Sequence, residues 1–318
     1  MRKLSDLKEL IGNTPLVEIL YTYNNKRRKA YMKAEWFNLT GSIKDRVAYN
    51  ILNTAIKEGK LKRNQTIVET TSGNMGISVS ALGTYLGHKV VVFMPKNMSD
   101  ERKNLLINYN AKLYLTKDFK SAFRKAKSFA KKNNAFMTEQ FSNINNTLSH
   151  EKGVAKEIKR QLGYNFDCVV AGVGTSGTIM GLANAFKNKG KRVYAVEPKS
   201  SLLLTLGNSI GEHKIQGLSD EIIPKIYNKD MIDAILPIDD DDAIAMANKL
   251  CSLGLGVGVS GGANFLGCVL SGEDVCVSVF PDDNKKYLLG VKENKVSKLV
   301  DSIKIKGIRV IKKNQKNF

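Results

Sequence analysis

The chain has few of the residues on which metal centres and disulfide-rich scaffolds depend. Among its 318 residues are 3 histidines, 4 cysteines, 6 prolines and 1 tryptophan. The cysteines are Cys168, Cys251, Cys268 and Cys276. They lie in or beside apolar stretches without paired spacing, so we expect buried free thiols rather than disulfides or a zinc site. The three isolated histidines add no ligand cluster, and we therefore expect no metal centre.

Long apolar runs are also missing. No run reaches the ~18–20 residues that are needed to span a bilayer. Residues 1–6 lack the apolar core of a signal peptide. We therefore expect a cytoplasmic protein that does not interact with membranes. A hydrophobic content of 42% indicates a globular chain rather than a disordered one.

Acidic residues are scarce relative to basic ones. The chain has 30 Asp+Glu against 50 Lys+Arg, which gives a formal net charge of +20. Such a charge permits binding to nucleic acids or anionic membranes, and residues 304–316 form a basic tail. The lysines are nevertheless spread along the whole chain, and no helix-turn-helix or finger pattern is visible. We expect a solvated lysine-rich surface that attracts anionic substrates, with no nucleic-acid partner.

Strand-like and helical patterns alternate along the chain, which predicts an α/β fold. The strand-like runs are residues 31–35, 66–69, 90–94, 112–115, 167–171, 193–196 and 275–280. The length allows two lobes around one cleft, because single cores stop growing near ~250–300 residues. We expect each lobe to be a mostly parallel twisted sheet covered by helices, with ligands at the carboxyl ends of the strands.

A lysine stands at the start of a predicted amphipathic helix. Residues 41–46 read Gly-Ser-Ile-Lys-Asp-Arg, and after Lys44 apolar residues recur at helical spacing as far as Ile56. The helix dipole and partial burial both disfavour an ammonium ion there, so we expect an amine that is neutral and nucleophilic near pH 7. Such an amine forms Schiff bases. On this hexapeptide alone, a solvated lysine is an equally good interpretation.

Two glycine-rich loops favour the nucleophilic lysine. Residues 70–76 read Thr-Thr-Ser-Gly-Asn-Met-Gly, whose hydroxyls and backbone N–H groups suit a carboxylate or phenolate oxygen. Residues 172–178 read Gly-Val-Gly-Thr-Ser-Gly-Thr between a strand and a helix, and this arrangement suits a phosphate. The loop is not a P-loop, because no lysine follows its last glycine. It is not a dinucleotide-binding loop either, because its glycines do not complete that fingerprint. A Schiff-base lysine, a carboxylate loop and a monophosphate loop together indicate pyridoxal 5'-phosphate.

From residue 11 to about residue 289 the chain resembles the cysteine synthase and cystathionine β-synthase family of fold-type II pyridoxal phosphate enzymes. The matching segments are residues 11–16, 41–46, 71–76, 94–95, 98–102, 140–141, 174–178 and 213–217. The resemblance implies a two-lobed fold like that of the tryptophan synthase β subunit. We expect one lobe to comprise residues 1–12 and 36–150 and the other to comprise residues 13–35 and 151–318.

The resemblance also implies a role for each matching site residue. Lys44 would hold the cofactor aldehyde, and Asn74 would hydrogen-bond its phenolic oxygen. The residues that would hold the phosphate are Gly174, Thr175, Ser176, Gly177 and Thr178. The residues that would contact the amino-acid substrate are Thr71, Ser72, Met75, Gln140 and Gly217. Among these, Thr71, Ser72 and Gln140 would bind its carboxylate.

The implied reaction is a β-replacement or β-elimination on sulfur amino acids through an aminoacrylate. Once the substrate amine displaces Lys44, the freed amine can remove the α-proton while the cofactor takes up the charge. A cysteine synthase makes cysteine from O-acetylserine and sulfide. The alternative enzyme consumes cysteine, releases hydrogen sulfide and forms serine or a thioether such as lanthionine or cystathionine. The expected partners are an amino acid with sulfide, a thiol or water, and we expect a homodimer.

Four positions depart from the family pattern. Met75 replaces a usual threonine, and Leu-Thr at residues 39–40 replaces asparagine-proline. Asp220 and Glu221 add carboxylates to a loop expected beside the substrate β-carbon, where a carboxylate can act as general base toward water. Asp283 stands where a serine usually meets the pyridine nitrogen, and an ionised carboxylate would keep that nitrogen protonated. Drift without functional effect is the other interpretation at each position.

Two further classes compete with this interpretation. A serine or threonine deaminase of the same fold uses a similar lysine, but its usual serine-phenylalanine-lysine order is absent because Ile43 precedes Lys44. A partner-binding protein with a decayed cofactor site would have lost the lysine or the phosphate loop. Both are present here, which favours an enzyme.

Overall fold

The computed structural model describes residues 2–71, 73–207, 211–287 and 296–311. The strands are β1 (Leu16–Tyr23), β2 (Lys26–Ala34), β3 (Ile67–Thr70), β4 (Val90–Pro95), β5 (Lys112–Thr116), β6 (Phe136–Met137), β7 (Cys168–Gly172), β8 (Arg192–Pro198), β9 (Ala234–Ile238), β10 (Val275–Phe280) and β11 (Lys304–Ile311). The helices are α1 (Lys44–Lys57), α2 (Asn74–Tyr85), α3 (Asp100–Asn108), α4 (Phe119–Lys132), α5 (Ile144–Ser149), α6 (Lys156–Leu162), α7 (Gly177–Phe186), α8 (Leu203–Leu206), α9 (Asp240–Ser252), α10 (Val259–Leu270) and α11 (Lys298–Ser302). A π-helical turn, His150–Ala155, joins α5 to α6.

These strands form two sheets. The four-stranded sheet has the order β5-β4-β3-β6, and all of its neighbours are parallel. The seven-stranded sheet has the order β11-β1-β2-β10-β7-β8-β9. Five neighbouring strands of this sheet run parallel, namely β2, β10, β7, β8 and β9. Strand β1 is antiparallel to both of its neighbours, β2 and β11. The predicted α/β fold with mostly parallel sheets is confirmed.

Burial on both faces explains why the central strands read as continuous apolar runs. In β7, Cys168 and Val170 pack into one apolar cluster, while Val169 and Ala171 pack into another on the opposite face. Helices cover both sides of such a sheet, so no position in the strand has to be polar. The loops that follow β3 and β7 therefore leave the sheets at the carboxyl ends of their strands, where ligands bind in folds of this class.

The predicted basic tail is wrong for its first half. Residues Lys304–Ile311 form β11, which pairs antiparallel with β1 and places Ile311 opposite Leu16. Ile305 and Ile308 pack against the apolar cluster of the large sheet, while Lys304, Lys306 and Arg309 face solvent. A strand at the edge of a sheet tolerates such charges, which a count of lysines cannot distinguish from a tail. Residues 312–316 lie outside the described residues.

The cysteines are free thiols, and three of them are buried as expected. Cys251 is exposed, contrary to the expectation, because it lies in the last turn of α9 on a side of the helix that is not buried. Within the described ranges, no helix is long and apolar enough to cross a membrane. The same part of the chain contains no group of three histidine, cysteine or acidic residues that could hold a metal ion.

Candidate active site

Lys44 is the first residue of α1 and lines a cavity at the carboxyl ends of the strands. Burial lowers the pKa of its amine, and the nearby carboxylates of Asp220 and Asp282 oppose that change without cancelling it. The start of α1 is fixed by Thr40, whose N–H and hydroxyl donate to the buried Asp45 carboxylate at 2.7 and 2.6 Å. Thr40, one of the departures from the family pattern, thus helps to position the lysine.

The cavity brings together most of the residues that the sequence singled out. The lining residues are Ile43, Lys44, Thr71, Asn74, Met75, Arg102, Gln140, Gly172, Gly174, Thr175, Ser176, Gly177, Thr178, Gln216, Gly217, Leu218, Asp220, Ser260, Asn264, Val279 and Pro281. Two predicted site residues, Glu221 and Asp283, do not line it. Ser72 lies outside the described residues.

The loop between β7 and α7 has no room for side chains at two of its glycines. A Cβ atom at Gly174 would lie 2.2 Å from the backbone oxygen of Gly217. At Gly177 it would lie 1.9 Å from Oδ1 of Asn146, whose Nδ2 donates to the Thr175 hydroxyl at 2.8 Å. Ser176 has a left-handed φ of 63° just before the helix. The loop is therefore held in one shape at the N-terminus of α7, where backbone N–H groups favour an anion.

The loop after β3 is also held from behind. The Thr71 hydroxyl accepts a hydrogen bond from the Gly73 N–H at 2.9 Å. Nε2 of Gln140 donates to a carboxylate oxygen of Glu69 at 3.1 Å and to the backbone oxygen of Thr70 at 3.0 Å. Thr71 and Gln140 both line the cavity, and these bonds hold the backbone between them in place.

The side-chain amide of Asn74 has two hydrogen-bond partners. Its Nδ2 donates to Asp282 at 2.7 Å, and its Oδ1 accepts from the Lys286 amine at 3.0 Å. Asp282 is buried and also accepts a hydrogen bond from the Tyr287 hydroxyl at 2.7 Å. These contacts fix the orientation of Asn74 at the start of α2 and leave its second Nδ2 hydrogen for a ligand.

Asp283 does not reach the cavity, although the sequence predicts it against the cofactor ring. Its carboxylate accepts from the Lys285 N–H at 3.2 Å, and its backbone bridges to Val257. The preceding residue, Asp282, instead bridges to Ser42 and is the buried carboxylate beside Asn74. Neighbouring residues of an extended segment point in opposite directions, so the two adjacent carboxylates have different surroundings.

Asp220 and Glu221, although adjacent in the sequence, also have different surroundings. Asp220 lines the cavity, and its Oδ2 lies 3.6 Å from the position that a Cβ of Gly174 would occupy. Glu221 contacts a neighbouring depression instead. The loop turns through left-handed φ angles of 51° at Ser219 and 61° at Glu221, and the Ser219 N–H donates to the Val173 oxygen at 2.9 Å. One carboxylate is thus held near Lys44 and the other is directed elsewhere.

Sequence reasoning missed several residues of this site. Arg102 is 1% exposed, lines the cavity and donates to the Tyr287 hydroxyl at 2.8 Å. Asn146 supports the phosphate loop, and His150 lies 3.4 Å from the Thr178 hydroxyl. Arg102 belongs to a segment that matches the family, and the other two lie in the asparagine-rich segment at 138–150. The sequence therefore marks both segments as unusual, but only the contacts in the structure show that these three residues belong to the site.

The residues present fit pyridoxal phosphate. A lysine of lowered pKa lies in the same cavity as a loop whose two glycines pack closely against neighbouring protein atoms at the N-terminus of α7. The hydroxyls of Thr175, Ser176 and Thr178 are suited to phosphate oxygens. Lys44 would hold the aldehyde, Asn74 the phenolic oxygen, and the β7–α7 loop the phosphate.

Known proteins resemble this chain over most of its length. The sequence profile of the family described as "Pyridoxal-phosphate dependent enzyme" matches residues 7–282. Cysteine synthase B of Campylobacter jejuni is 40% identical over 270 residues, which cover 83% of this chain and 89% of that protein. A hydrogen sulfide-producing enzyme from Fusobacterium nucleatum has a similar structure, with a TM-score of 0.93, 41% identity and coverage of 96% of this chain and 98% of that chain.

A variant of a hydrogen sulfide-producing enzyme, solved in complex with an α-aminoacrylate intermediate, is similarly related, with a TM-score of 0.93 and 40% identity. It covers 96% of this chain and 98% of its own chain. The lysine, the two glycine-rich loops, the fold and these similarities lead to one conclusion. The chain belongs to the family of pyridoxal-phosphate dependent enzymes.

Proposed function

We propose that the protein replaces the thiol of cysteine by water, so that it releases hydrogen sulfide and forms serine. The observation that carries this proposal is the position of Asp220, whose carboxylate lines the cavity close to Lys44. The similarity to a hydrogen sulfide-producing enzyme over nearly the whole chain supports it. Pyridoxal phosphate, when bound, supplies the electron sink that allows the α-proton and the β-substituent to leave.

The residues of the chain would divide the proton transfers between them. Lys44 removes the α-proton of cysteine, the Cβ–S bond breaks, and sulfur leaves as hydrosulfide. Asp220 accepts a proton from water while the water oxygen forms the new bond to the β-carbon. Lys44 returns its proton to the α-carbon, and the proton on Asp220 leaves with the hydrosulfide as hydrogen sulfide. Atoms balance: cysteine and water give serine and hydrogen sulfide.

A carboxylate in this place also discriminates between nucleophiles. Like charges repel more strongly in a partly enclosed cavity than in water. Asp220 therefore disfavours the hydrosulfide anion, which a cysteine synthase must bind, and favours neutral water or a thiol. A thiol in place of water would give a thioether such as lanthionine or cystathionine.

The second candidate is synthesis of cysteine from O-acetylserine and sulfide. It is favoured by the relatives that are called cysteine synthases, including the one from Campylobacter jejuni at 40% identity. The two reactions share Lys44 and both glycine-rich loops, so these features do not separate them. The character of the nucleophile does, and Asp220 is the residue that determines it.

The test is product analysis from cysteine alone. We expect sulfide and serine in the wild type, and a fall in serine formation of about 10²–10⁴-fold in Asp220→Asn, the usual size of a general-base contribution. Glu221→Gln is the matched control, since this neighbouring carboxylate lies outside the cavity and its loss leaves the rate unchanged. Brisk synthesis of cysteine from O-acetylserine without sulfide release from cysteine would instead support the second candidate.

We further propose that the protein is a homodimer. Large apolar side chains remain exposed on the single chain, among them Phe37 at 60% and Val310 at 60%. Burial of such surface in a second copy is favourable. Sedimentation velocity at micromolar concentration should give twice the mass of one chain, and a single-chain mass would contradict the proposal.

We also propose that the protein works in the cytoplasm. Free thiols, three of them buried, are typical of proteins from a reducing compartment. Fractionation of the source cells should recover the protein with the cytoplasmic contents. Recovery outside the cytoplasm would contradict this location.

A further inference from the structure

Glu69 is a buried carboxyl group for which the proposed reaction has no use. It is the third residue of β3, its side chain is 1% exposed, and it does not line the cavity. It lies directly behind Gln140, which does line the cavity and which the family resemblance assigns to the substrate carboxylate. A group in that place can act on the substrate only through Gln140.

The hydrogen bonds of Gln140 conflict with that assigned role. Its Nε2 carries two hydrogens, and these are donated to Oε1 of Glu69 at 3.1 Å and to the Thr70 oxygen at 3.0 Å. Both hydrogens are therefore engaged inside the protein. A carboxylate accepts hydrogen bonds and cannot donate, so Gln140 must turn one hydrogen toward the cavity before it can bind one.

The charge on Glu69 decides how readily that hydrogen is given up. A hydrogen bond to an ionised carboxylate is roughly twice as strong as one to a neutral partner. An ionised Glu69 also repels a second carboxylate across the amide. A neutral Glu69 does neither, and it keeps its contact with the Thr138 hydroxyl, which lies 2.5 Å from Oε2.

Burial raises the pKa of Glu69 to about 8, and the hydrogen bonds from Thr138, Thr70 and Gln140 oppose that rise. The neighbours of β3 are β4, β6, α2 and α4. Within the described part of the chain, no charged side chain of these elements contributes to the shift. The group is therefore mainly neutral near pH 7 and loses its proton as the pH rises through about 8.

We propose that Glu69 is a proton-controlled positioning residue: when neutral it releases an amide hydrogen of Gln140 to the α-carboxylate of an amino acid, and when ionised it withholds that hydrogen. The inference rests on the proposed function in one respect, namely that the substrate is an amino acid. Affinity for the amino acid is then expected to fall as pH rises through the pKa of Glu69.

The test compares the holoenzyme with its Glu69→Gln variant, using L-alanine as a probe because it carries no β-leaving group. Its Kd is measured from the change in cofactor absorbance between pH 6.5 and 9.5. If only the neutral form binds, the ratio of wild-type to variant Kd rises about tenfold between pH 7 and pH 9, because the competent fraction falls by that factor. The ratio cancels the titrations of alanine and Lys44, which both proteins share.

Two controls keep the result specific. Thr138→Val removes a hydrogen bond that holds the pKa of Glu69 down, so the inflection should move to higher pH. Alaninamide lacks the carboxylate and should show the same pH dependence in wild type and Glu69→Gln. A wild-type to variant ratio that is constant with pH, or an inflection unmoved in Thr138→Val, overturns the proposal. Failure of the enzyme to release sulfide would refute the role of Asp220 and leave this binding test intact.

Discussion

At the scale of single residues, the amine of Lys44 decides whether the site can act at all. It stands at the start of a helix, its pKa is lowered by burial, and both loops that would hold the cofactor face the same cavity. We expect Lys44→Ala to remain folded and to lose turnover. Borohydride reduction of the wild-type holoenzyme, followed by peptide mapping, should find the cofactor on this lysine. Its recovery on another lysine would refute the assignment.

The pair Asp282 and Asp283 gives a second test at this scale. Of the two, Asp282 is the one that accepts a hydrogen bond from Asn74. Burial lowers the pKa of the Lys286 amine beside them, and the Asp282 carboxylate opposes that change. Asp282→Ser should therefore shift the absorbance of the holoenzyme, because the Asn74 amide, which is predicted to meet the phenolic oxygen, loses its partner. Asp283→Ser is the matched control and should leave the spectrum unchanged. A shift in Asp283→Ser without one in Asp282→Ser would instead support the predicted contact between Asp283 and the cofactor ring.

At the scale of elements, the loop between β7 and α7 depends on the absence of side chains. Gly174→Ala places a Cβ against a backbone oxygen, which cannot move without shifting residues 217–221. We expect cofactor affinity to fall by about tenfold or more, which corresponds to ~1.4 kcal/mol. Gly307→Ala in β11 is the control, since its Cβ would meet only a Leu20 methyl at 3.7 Å. Equal cofactor retention in the two variants, measured by absorbance after dialysis, would contradict this role of the loop.

The bounds of the two lobes stay a prediction, although the pairing of the strands is consistent with them. Strands β1 and β2 pair with the sheet formed by the second half of the chain, whereas β3 to β6 form their own sheet. We expect amide hydrogen exchange to show two units, one for each sheet, whose protection changes near the predicted boundaries at residues 12, 35 and 150. A change of protection within β7 or β8 instead would argue against these boundaries.

At the scale of the whole molecule, a buried ion network ties the lysine helix to the large sheet. Arg46 on α1 donates to Glu35 at 2.6 Å and to Glu157 at 2.6 Å, and Glu157 also accepts from Lys33 of β2 at 2.8 Å. Removing one partner leaves buried charges uncompensated. We expect Arg46→Met to lower the free energy of unfolding by about 3–5 kcal/mol. Urea denaturation measures this, and a loss below ~1 kcal/mol would show that the network contributes little.

The same network predicts an acid transition. Burial alone would raise the pKa of Glu157, but the bonds and charges of Arg46 and Lys33 outweigh it and lower the pKa from 4.5 to about 2. The resulting stabilisation, of the order of 3 kcal/mol, is complete above pH 4.5 and is lost as pH falls toward 2. Unfolding free energies between pH 5 and 2.5 should show this slope, and Glu157→Gln should reduce it. An equal slope in the variant would assign the acid transition to other groups.

The sequence by itself determined the parts of this protein that depend on local pattern. The helix that starts at Lys44, the central strands and the glycine turns follow from spacing and residue type, and the structure confirms these elements. The strands β1, β6, β9 and β11 are absent from the prediction. Strand β11 carries two lysines and an arginine among its eight residues, and β6 is only two residues long. Pairing with distant strands therefore defines them more than their own pattern does.

Only the tertiary structure decided which of two adjacent side chains enters the cavity. Asp220 enters and Glu221 does not, and Asp282 rather than Asp283 meets Asn74. Sequence places such neighbours within one residue of each other, but the direction of each side chain is set by backbone bonds to segments far along the chain. Ser219 bonds to Val173, and Asp282 bridges to Ser42. Those long-range contacts, which no local pattern encodes, select the carboxylate that lines the cavity.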